Sequence, residues 1–368
     1  MPKKIKNCFY KNLTFEKFMQ AHKRAKQHKT YKNEVIKFEI NLENNITNLV
    51  NNIKNKTYHL GKYYSFTIYE PKERIIKSLP YIDRVVHQWY VEEFIKPYIV
   101  PKFVDTSFAC IKNRGTHKAV EEVEQNMREY KRNYGDFWIL KCDIKKFFYS
   151  IDTNILFNIM KKYIVDKELL NFTKLIIFDG RAPNDTIGIP IGNYTSQFFA
   201  NIYMNELDQF VKRTLKIKYY TRYMDDFIIL AKTKKDCIYL KKQIENFLNL
   251  NLHLSLNKKS RYYPYSMGVN FCGYRIFTTH RLLRLNSKKK IKKSVKHWNY
   301  LYKTHQLNVF YTLQSMNSWI GHSSHCNCYK LQNKILNSCD FLFNDKAYEE
   351  IEKNLIELIE KDNGKKEV

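Results

Sequence analysis

YYTRYMDDFIILA, residues Tyr219 to Ala231, is the stretch whose reading decides the fold. Two apolar runs, Tyr219 to Met224 and Phe227 to Ala231, have the aromatic and branched composition of strands, and the two-residue break between them reads as a tight hairpin turn. That break carries Asp225 and Asp226 side by side. Adjacent carboxylates repel, and folding gains nothing from setting two of them at the tip of an apolar hairpin, so a divalent cation is their natural stabiliser. In an arbitrary hairpin a solvated acidic turn would be the better explanation; here the rest of the chain decides against it.

Upstream, FWILKCDIKKFFYSID presents a second acidic site, where an apolar run from Phe137 to Leu140 leads to Asp143 and then to Phe147 and Phe148. This also reads as a strand ending in a carboxylate. Two strands bringing Asp143, Asp225 and Asp226 to a common point would build an all-oxygen site for two Mg²⁺ ions about 4 Å apart, with Mn²⁺ as a substitute, the arrangement used for in-line nucleotidyl transfer. One ion would serve a primer 3′-hydroxyl and the other the incoming triphosphate. Without the paired aspartates, Asp143 would read equally well as a capping residue at a strand end.

Y-x-D-D on a hairpin, preceded by D-x-x-x-x-F at a strand end, resembles motifs C and A of a reverse transcriptase palm. Further blocks agree in chain order, together spanning about residues 65 to 280. PKERIIKSLPYIDRVVHQ (Pro71 to Gln88) resembles the fingers block that holds the triphosphate, with Lys72 and Arg74 at the matching basic positions. FVDTSFACIKNRGTHKAV (Phe103 to Val120) resembles the block that follows, with Arg114 as its basic residue. GIPIGNYTSQFFANIYMNELD (Gly188 to Asp208) is similar to motif B, LNKKS (Leu256 to Ser260) to motif D, and VNFCGYRI (Val269 to Ile276) to the primer-grip motif E.

The resemblance implies roles. Asp143, Ile144, Asp225 and Asp226 are the metal positions. Lys72, Arg74, Phe148, Ile191, Gly192 and Gln197 face the incoming dNTP, and Arg114, Tyr223, Met224, Phe271 and Gly273 contact nucleic acid. An aromatic ring at Phe148 would lie under the sugar, clash with a 2′-hydroxyl and select deoxynucleotides, where an RNA polymerase needs a small or polar residue. The competing reading is a plain core aromatic beside Phe147. Lys259 matches a lysine near the departing pyrophosphate and is a candidate general acid; Lys258 is adjacent and ranks equally, and either reads also as a solvated charge.

Motif B points to a subfamily. Most reverse transcriptases begin this block with Gln-Gly and follow its serine with proline, whereas this chain has Ile191-Gly192 and Ser196-Gln197. That form is similar to diversity-generating retroelement enzymes, which copy a template RNA with errors concentrated at template adenines. Replacing an amide near the nascent base pair with the aliphatic Ile191 removes a polar contact that rejects mismatches, and losing such contacts is how discrimination falls. Lineage drift without effect on fidelity is the competing reading. Other bacterial reverse transcriptases, of antiphage-defence or retron type, form the runner-up class, followed by a non-catalytic RNA-binding scaffold. The presence of all three carboxylates argues against the scaffold, and Phe148 against a viral-type RNA polymerase.

Composition agrees. Lys plus Arg total 64 against 36 Asp plus Glu, a formal net charge of +28 that phosphate backbones would neutralise. AT-rich codon usage also enriches lysine, so charge alone does not specify the partner. The expected partners are a template RNA, its RNA/DNA template–primer duplex, dNTPs and, by resemblance, a small basic oligomeric accessory protein. Of the 28 Tyr and 24 Phe, those among lysines in KYYSFTIYEPK and KKSRYYPYS could stack on bases, while most belong in the core.

The expected fold class is α+β, a right-hand polymerase. Fingers are expected over residues 1–135, with helices around Asn41 to Asn55 and Asp83 to Ile95. A palm is expected over 136–285, with a fingers insertion at about 155–186, and a helical thumb over 286–368, where KKKIKKSVKHWNYLYKTH turns helical and basic. The tail AYEEIEKNLIELIEK has helical spacing. No room is expected for a nuclease or integrase domain. No apolar run reaches the length of a signal peptide core or membrane span, and the eight scattered cysteines suit reduced thiols, so the cytoplasm is the expected location. GHSSHCNCY gathers His322, His325, Cys326 and Cys328, but its spacing is too tight for a zinc knuckle or finger.

Overall fold

A computed structural model of the chain describes residues 4–69, 72–179 and 185–342. The chain divides into two compact units, Met1–Ala119 with Trp138–Tyr263, and Val120–Phe137 with Pro264–Val368.

In the first unit, β1 (Tyr64–Ile68) and β2 (Arg74–Ser78) form an antiparallel ribbon with Tyr64 opposite Ser78 and Ile68 opposite Arg74. A separate four-stranded sheet contains β3 (Trp138–Asp143), β4 (Tyr220–Tyr223), β5 (Asp226–Ala231) and β6 (Arg261–Pro264), in the order β4-β5-β3-β6. From Phe227 to Ala231 every residue of β5 is buried, which is why this strand reads as an unbroken apolar run rather than an alternation. Helices cover the sheet. Tyr194–Gln209 is buried along most of its length, and Lys234–Leu252 starts at a reciprocal cap between Thr233 and Asp236. The Tyr203 hydroxyl donates to the Leu252 carbonyl at 2.7 Å, joining the two helices.

The helix expected near Asn41 runs over Leu42–Lys54. The one expected from Asp83 begins at Tyr81 and passes at Val91 into a π-helical turn ending at Ile95. Its Trp89 is fully buried, stacks on Phe18 with centroids 4.7 Å apart and donates its indole N–H to the Asn12 carbonyl at 2.7 Å. Burying a ring of this size anchors the helix to its neighbours.

The second unit contains a three-stranded antiparallel meander, β7 (Val269–Phe271), β8 (Tyr274–Ile276) and β9 (Arg281–Leu283). The helices Leu285–Lys303, Val309–Ser323 and Tyr329–Leu336 follow. Ile291, Val295, Val309, Met316, Ile335 and Phe341 close its core. The basic helical stretch read after Ser287 is therefore present and begins at Leu285. The tail helix read from Ala347 lies outside the described residues. Mixed helix and antiparallel sheet is the fold class that the sequence implied.

Candidate active site

Antiparallel pairing of β3 with β5 sets Asp143 directly opposite Asp226, and pairing of β4 with β5 sets Tyr223 opposite Asp226. Residues directly opposite share a face, so two carboxylates emerge together at one end of the sheet. Asp225 sits in the connecting turn, whose carbonyl accepts the Ile144 N–H at 3.2 Å, stitching the residue after Asp143 to the hairpin tip.

The turn differs from the sequence reading by one residue. Its two residues are Met224 and Asp225, while Asp226 opens β5. Cross-strand pairing with Asp143 extends the ladder over Asp226, and Met224 takes the left-handed conformation at φ +55° that a tight hairpin demands. For a side-chain-bearing residue this costs about 1 kcal/mol.

The three carboxylates have distinct surroundings. Burial pushes the Asp225 carboxyl up to about 6, and Asp143 adds to the push, with a smaller contribution from Asp226; its own backbone N–H and Arg74 pull the other way. Asp226 is held by the Lys141 ammonium at 2.8 and 2.7 Å from its two oxygens. Asp143 accepts from the Asn257 side-chain amide at 3.0 Å. Among the described residues no three or more His, Cys, Asp or Glu side chains are gathered closely enough to hold a metal ion. The three aspartates share one end of the sheet, and Asp226 has a counter-charge in Lys141. The donor chemistry nevertheless fits a divalent cation, since Asp143 and Asp225 are hard oxygen ligands under mutual repulsion that a cation would relieve.

Behind the turn lies a buried ionic network that the sequence reading missed. Arg222 and Asp208 are both fully buried. The guanidinium donates to the two Asp208 oxygens at 2.7 and 2.5 Å, to Asn201 Oδ1 at 3.0 Å, to Ser107 Oγ at 3.0 Å and to the Met224 carbonyl at 2.9 Å. Tyr220 donates its hydroxyl to Asp208 at 2.6 Å. The hairpin tip is thus fixed from below by Arg222.

The β1–β2 ribbon reaches this end of the sheet through β2. The Lys77 N–H donates to the Ile191 carbonyl at 2.9 Å, and the Tyr149 hydroxyl accepts the Ile75 N–H at 3.3 Å. Gly192 makes the first contact feasible. It adopts φ +122°, and a Cβ there would stand 2.9 Å from the Lys77 carbonyl oxygen. Arg74 and Lys72 are exposed. Phe148 is half-buried, edge-on to Phe147 at 5.6 Å, and its carbonyl accepts the Ile189 N–H at 2.8 Å, so motif B runs against the helical turn that carries it.

The family model described as reverse transcriptase (RNA-dependent DNA polymerase) matches residues 62–276, more than half of the chain. The chain belongs to the reverse transcriptase family. The group II intron-encoded protein LtrA of Lactococcus lactis is 23% identical over 306 residues, covering 64% of this chain and 50% of that protein. A putative COX1/OXI3 intron 2 protein of Saccharomyces cerevisiae is 24% identical over 212 residues, covering 40% of this chain and 25% of its own length. This reverse transcriptase chain therefore spans about half, or less, of the curated relatives it matches. Among solved structures, telomerase from Candida albicans in complex with a fragment of telomeric RNA aligns at 12% identity and a TM-score of 0.47, over 78% of this chain and 61% of that one.

Lys259 and Lys258 are exposed, and the Lys259 N–H donates to Asn257 Oδ1 at 3.1 Å. Arg114 is engaged within its own loop, donating to the carbonyls of Val104, Asp105 and Ser107 at 2.9, 3.0 and 2.7 Å, so holding that loop is its observed work. Gln197 is exposed on the first turn of its helix, its Oε1 3.4 Å from the Cys110 thiol. Tyr223 and Met224 are half-buried at the hairpin tip. Phe271 is fully buried, at odds with its reading as a side-chain contact to nucleic acid. Gly273, at φ +92°, turns β7 into β8 beside His322. His322 Nδ1 faces the Tyr274 hydroxyl at 3.0 Å, and the Cys326 and Cys328 sulfurs stand 3.0 Å apart. Among the described residues no helix is long and apolar enough to cross a membrane.

Proposed function

We propose that the chain is an RNA-directed DNA polymerase, extending a primer on a template RNA with dNTPs. The observation that carries this reading is the register that sets Asp143 opposite Asp226 with Asp225 in the adjoining turn, and Arg74 within electrostatic reach of Asp225. Asp143 and Asp225 would hold divalent cations, Mg²⁺ or in its place Mn²⁺, which supply charge neutralisation for the primer hydroxyl and the triphosphate. Asp226, tied to Lys141, forms a neutral ion pair at the same end of the sheet. Arg74 and Lys72 draw in the triphosphate, and Phe148 reads the sugar. In this reading residues 1–135 act as fingers, 136–285 as palm and 286–368 as thumb, and the basic helix Leu285–Lys303 lies along the template–primer duplex.

Within this class, the Ile191-Gly192 and Ser196-Gln197 form of motif B supports a diversity-generating retroelement enzyme, error-prone at template adenines, cytoplasmic and working with a small basic accessory protein. The test is primer extension on a primed RNA of known sequence, scored by template base, with Asp225→Asn in parallel. Errors concentrated opposite adenine are expected in the wild type and no extension in Asp225→Asn. Even, low error would move the chain to another bacterial reverse transcriptase class. Wild type and Asp225→Asn alike failing to extend, with cognate RNA and accessory protein added, would leave a non-catalytic scaffold.

A further inference from the structure

We propose that Asn257 is a positioning residue that fixes which oxygen of Asp143 is presented to a divalent cation, an inference that rests on reading Asp143 as a metal-holding carboxylate. Its side-chain Nδ2 donates to Asp143 Oδ2 at 3.0 Å, and its backbone N–H donates to the Asp143 carbonyl at 2.7 Å. The amide orientation is fixed by its other end, since Oδ1 accepts the Lys259 N–H at 3.1 Å, and an NH₂ group could not accept that bond. Ser260 completes the wrap: its hydroxyl accepts the Asp143 N–H at 3.0 Å and donates to the Asp143 carbonyl at 3.2 Å.

The division of labour in this segment is what points beyond mere folding. The main chain of Asp143 is secured by Ser260 and by the Asn257 N–H, and the neighbouring Ile144 bridges to Leu256. None of those bonds touches the carboxylate. The Asn257 amide alone in this segment does, and by occupying a lone pair on Oδ2 it orients the group and leaves Oδ1 as the freer acceptor. Outer partners that orient a ligand in this way commonly alter metal affinity by roughly 10–100-fold when removed. Motif D thereby gains a role for Asn257 that is separate from its exposed lysines.

The experiment is a Mn²⁺ titration followed by electron paramagnetic resonance on the full chain bound to a primed RNA, alongside the Mg²⁺ dependence of primer extension. Asn257→Ala is expected to weaken Mn²⁺ binding roughly tenfold and to raise the half-saturating Mg²⁺ concentration in proportion. At saturating Mg²⁺, kcat should recover most of its wild-type value. Ser260→Ala removes only main-chain support and is expected to keep wild-type Mn²⁺ affinity. If Asn257→Ala is too unstable to measure, Asn257→Leu, which keeps the volume, must give the same shift. Wild-type Mn²⁺ affinity in the Asn257 variant, or an equal shift in Ser260→Ala, overturns the inference. Asp143→Ala separates the two levels: loss of Mn²⁺ binding there with no change in the Asn257 variant sinks the inference alone. Unchanged binding in Asp143→Ala removes the metal-holding reading and the inference with it.

Discussion

Replacing Arg222 with methionine tests whether the hairpin tip is held by its buried ionic network. Arg222 and Asp208 are fully buried, and the guanidinium donates to Asp208, Asn201, Ser107 and the Met224 carbonyl. Arg222→Met leaves the Asp208 charge inside the unit with Tyr220 as its remaining donor. Breaking a buried pair from one side costs about 3–5 kcal/mol, a large share of the roughly 5–15 kcal/mol by which a domain is stable. At about 2–4 °C per kcal/mol for a unit of this size, the melting midpoint should fall by roughly 6–20 °C. Removing both charges is a different perturbation. Arg222→Met with Asp208→Leu leaves no unpaired charge, so most of the lost stability should return. The Met224 carbonyl still lacks its donor, so primer extension should stay depressed by about tenfold or more, the equivalent of one charge-assisted hydrogen bond. Thermal melting and extension rates of both variants decide the matter. A single variant that loses under about 1 kcal/mol, or a double variant that regains activity together with stability, would refute the claim that Arg222 fixes the hairpin turn.

Other consequences can be checked alongside. Gly192→Ala places a Cβ 2.9 Å from the Lys77 carbonyl in a backbone held at φ +122°; the expected cost of about 1–3 kcal/mol should appear as a raised KM for dNTP, and an unchanged KM would mean that the β2 contact is dispensable. Tyr149→Phe removes the hydroxyl that meets Ile75, and a two- to fivefold rise in KM for dNTP with little change in kcat is expected from losing about 0.5–1 kcal/mol; steady-state kinetics decides it. His87 is fully buried, and burial lowers its imidazole pKa to about 3. Below its ordinary value of 6.5 the unfolded chain binds a proton that the folded one refuses, so this residue's contribution is present above pH 6.5 and is lost as the pH falls towards 3. Denaturant unfolding of His87→Gln from pH 7 to 4 should show a shallower acid loss than the wild type, and superimposable pH profiles would contradict the assignment.

The hairpin and Asp143 were legible because their signals are local: short runs of aromatic and branched residues ending in acids can be read without knowing what they pack against. The turn was placed one residue late because acids favour turns, whereas pairing with β3 decides that Asp226 belongs to the strand. Arg222 was invisible for the opposite reason. A single arginine in a strand reads as a solvent-facing residue, and its partner Asp208 lies on a helix, too remote in sequence for any periodicity to connect them. Phe271 carried a usable signal that was overridden: in Val269-Asn270-Phe271 the period-2 alternation puts it on the same inward face as Val269, and both are buried. Asn257 was masked by the neighbouring lysines, because a charged residue in a polymerase motif draws the chemical reading to itself.

The three aspartates are unequal in ways that no motif conveys, and the inequality has a physical direction. Asp226 already has a cation in Lys141, so an added divalent ion gains least there. The Asp225 carboxyl is pushed up by burial and by Asp143, with no lysine bonded to it among the described interactions. Asp143 has one oxygen engaged by Asn257 and the other available. A cation seeking the largest relief of repulsion would therefore settle between Asp143 and Asp225, with Asp226 and Lys141 acting as a neutral pair beside it. It follows that Lys141→Met, which frees the Asp226 charge, should strengthen Mn²⁺ binding at this end of the sheet, whereas Asp226→Asn should weaken it far less than Asp225→Asn. Equal weakening by the two asparagine variants in a Mn²⁺ titration would mean that Asp226 leaves Lys141 to share the ion, and that the pair is a resting arrangement rather than part of the working site.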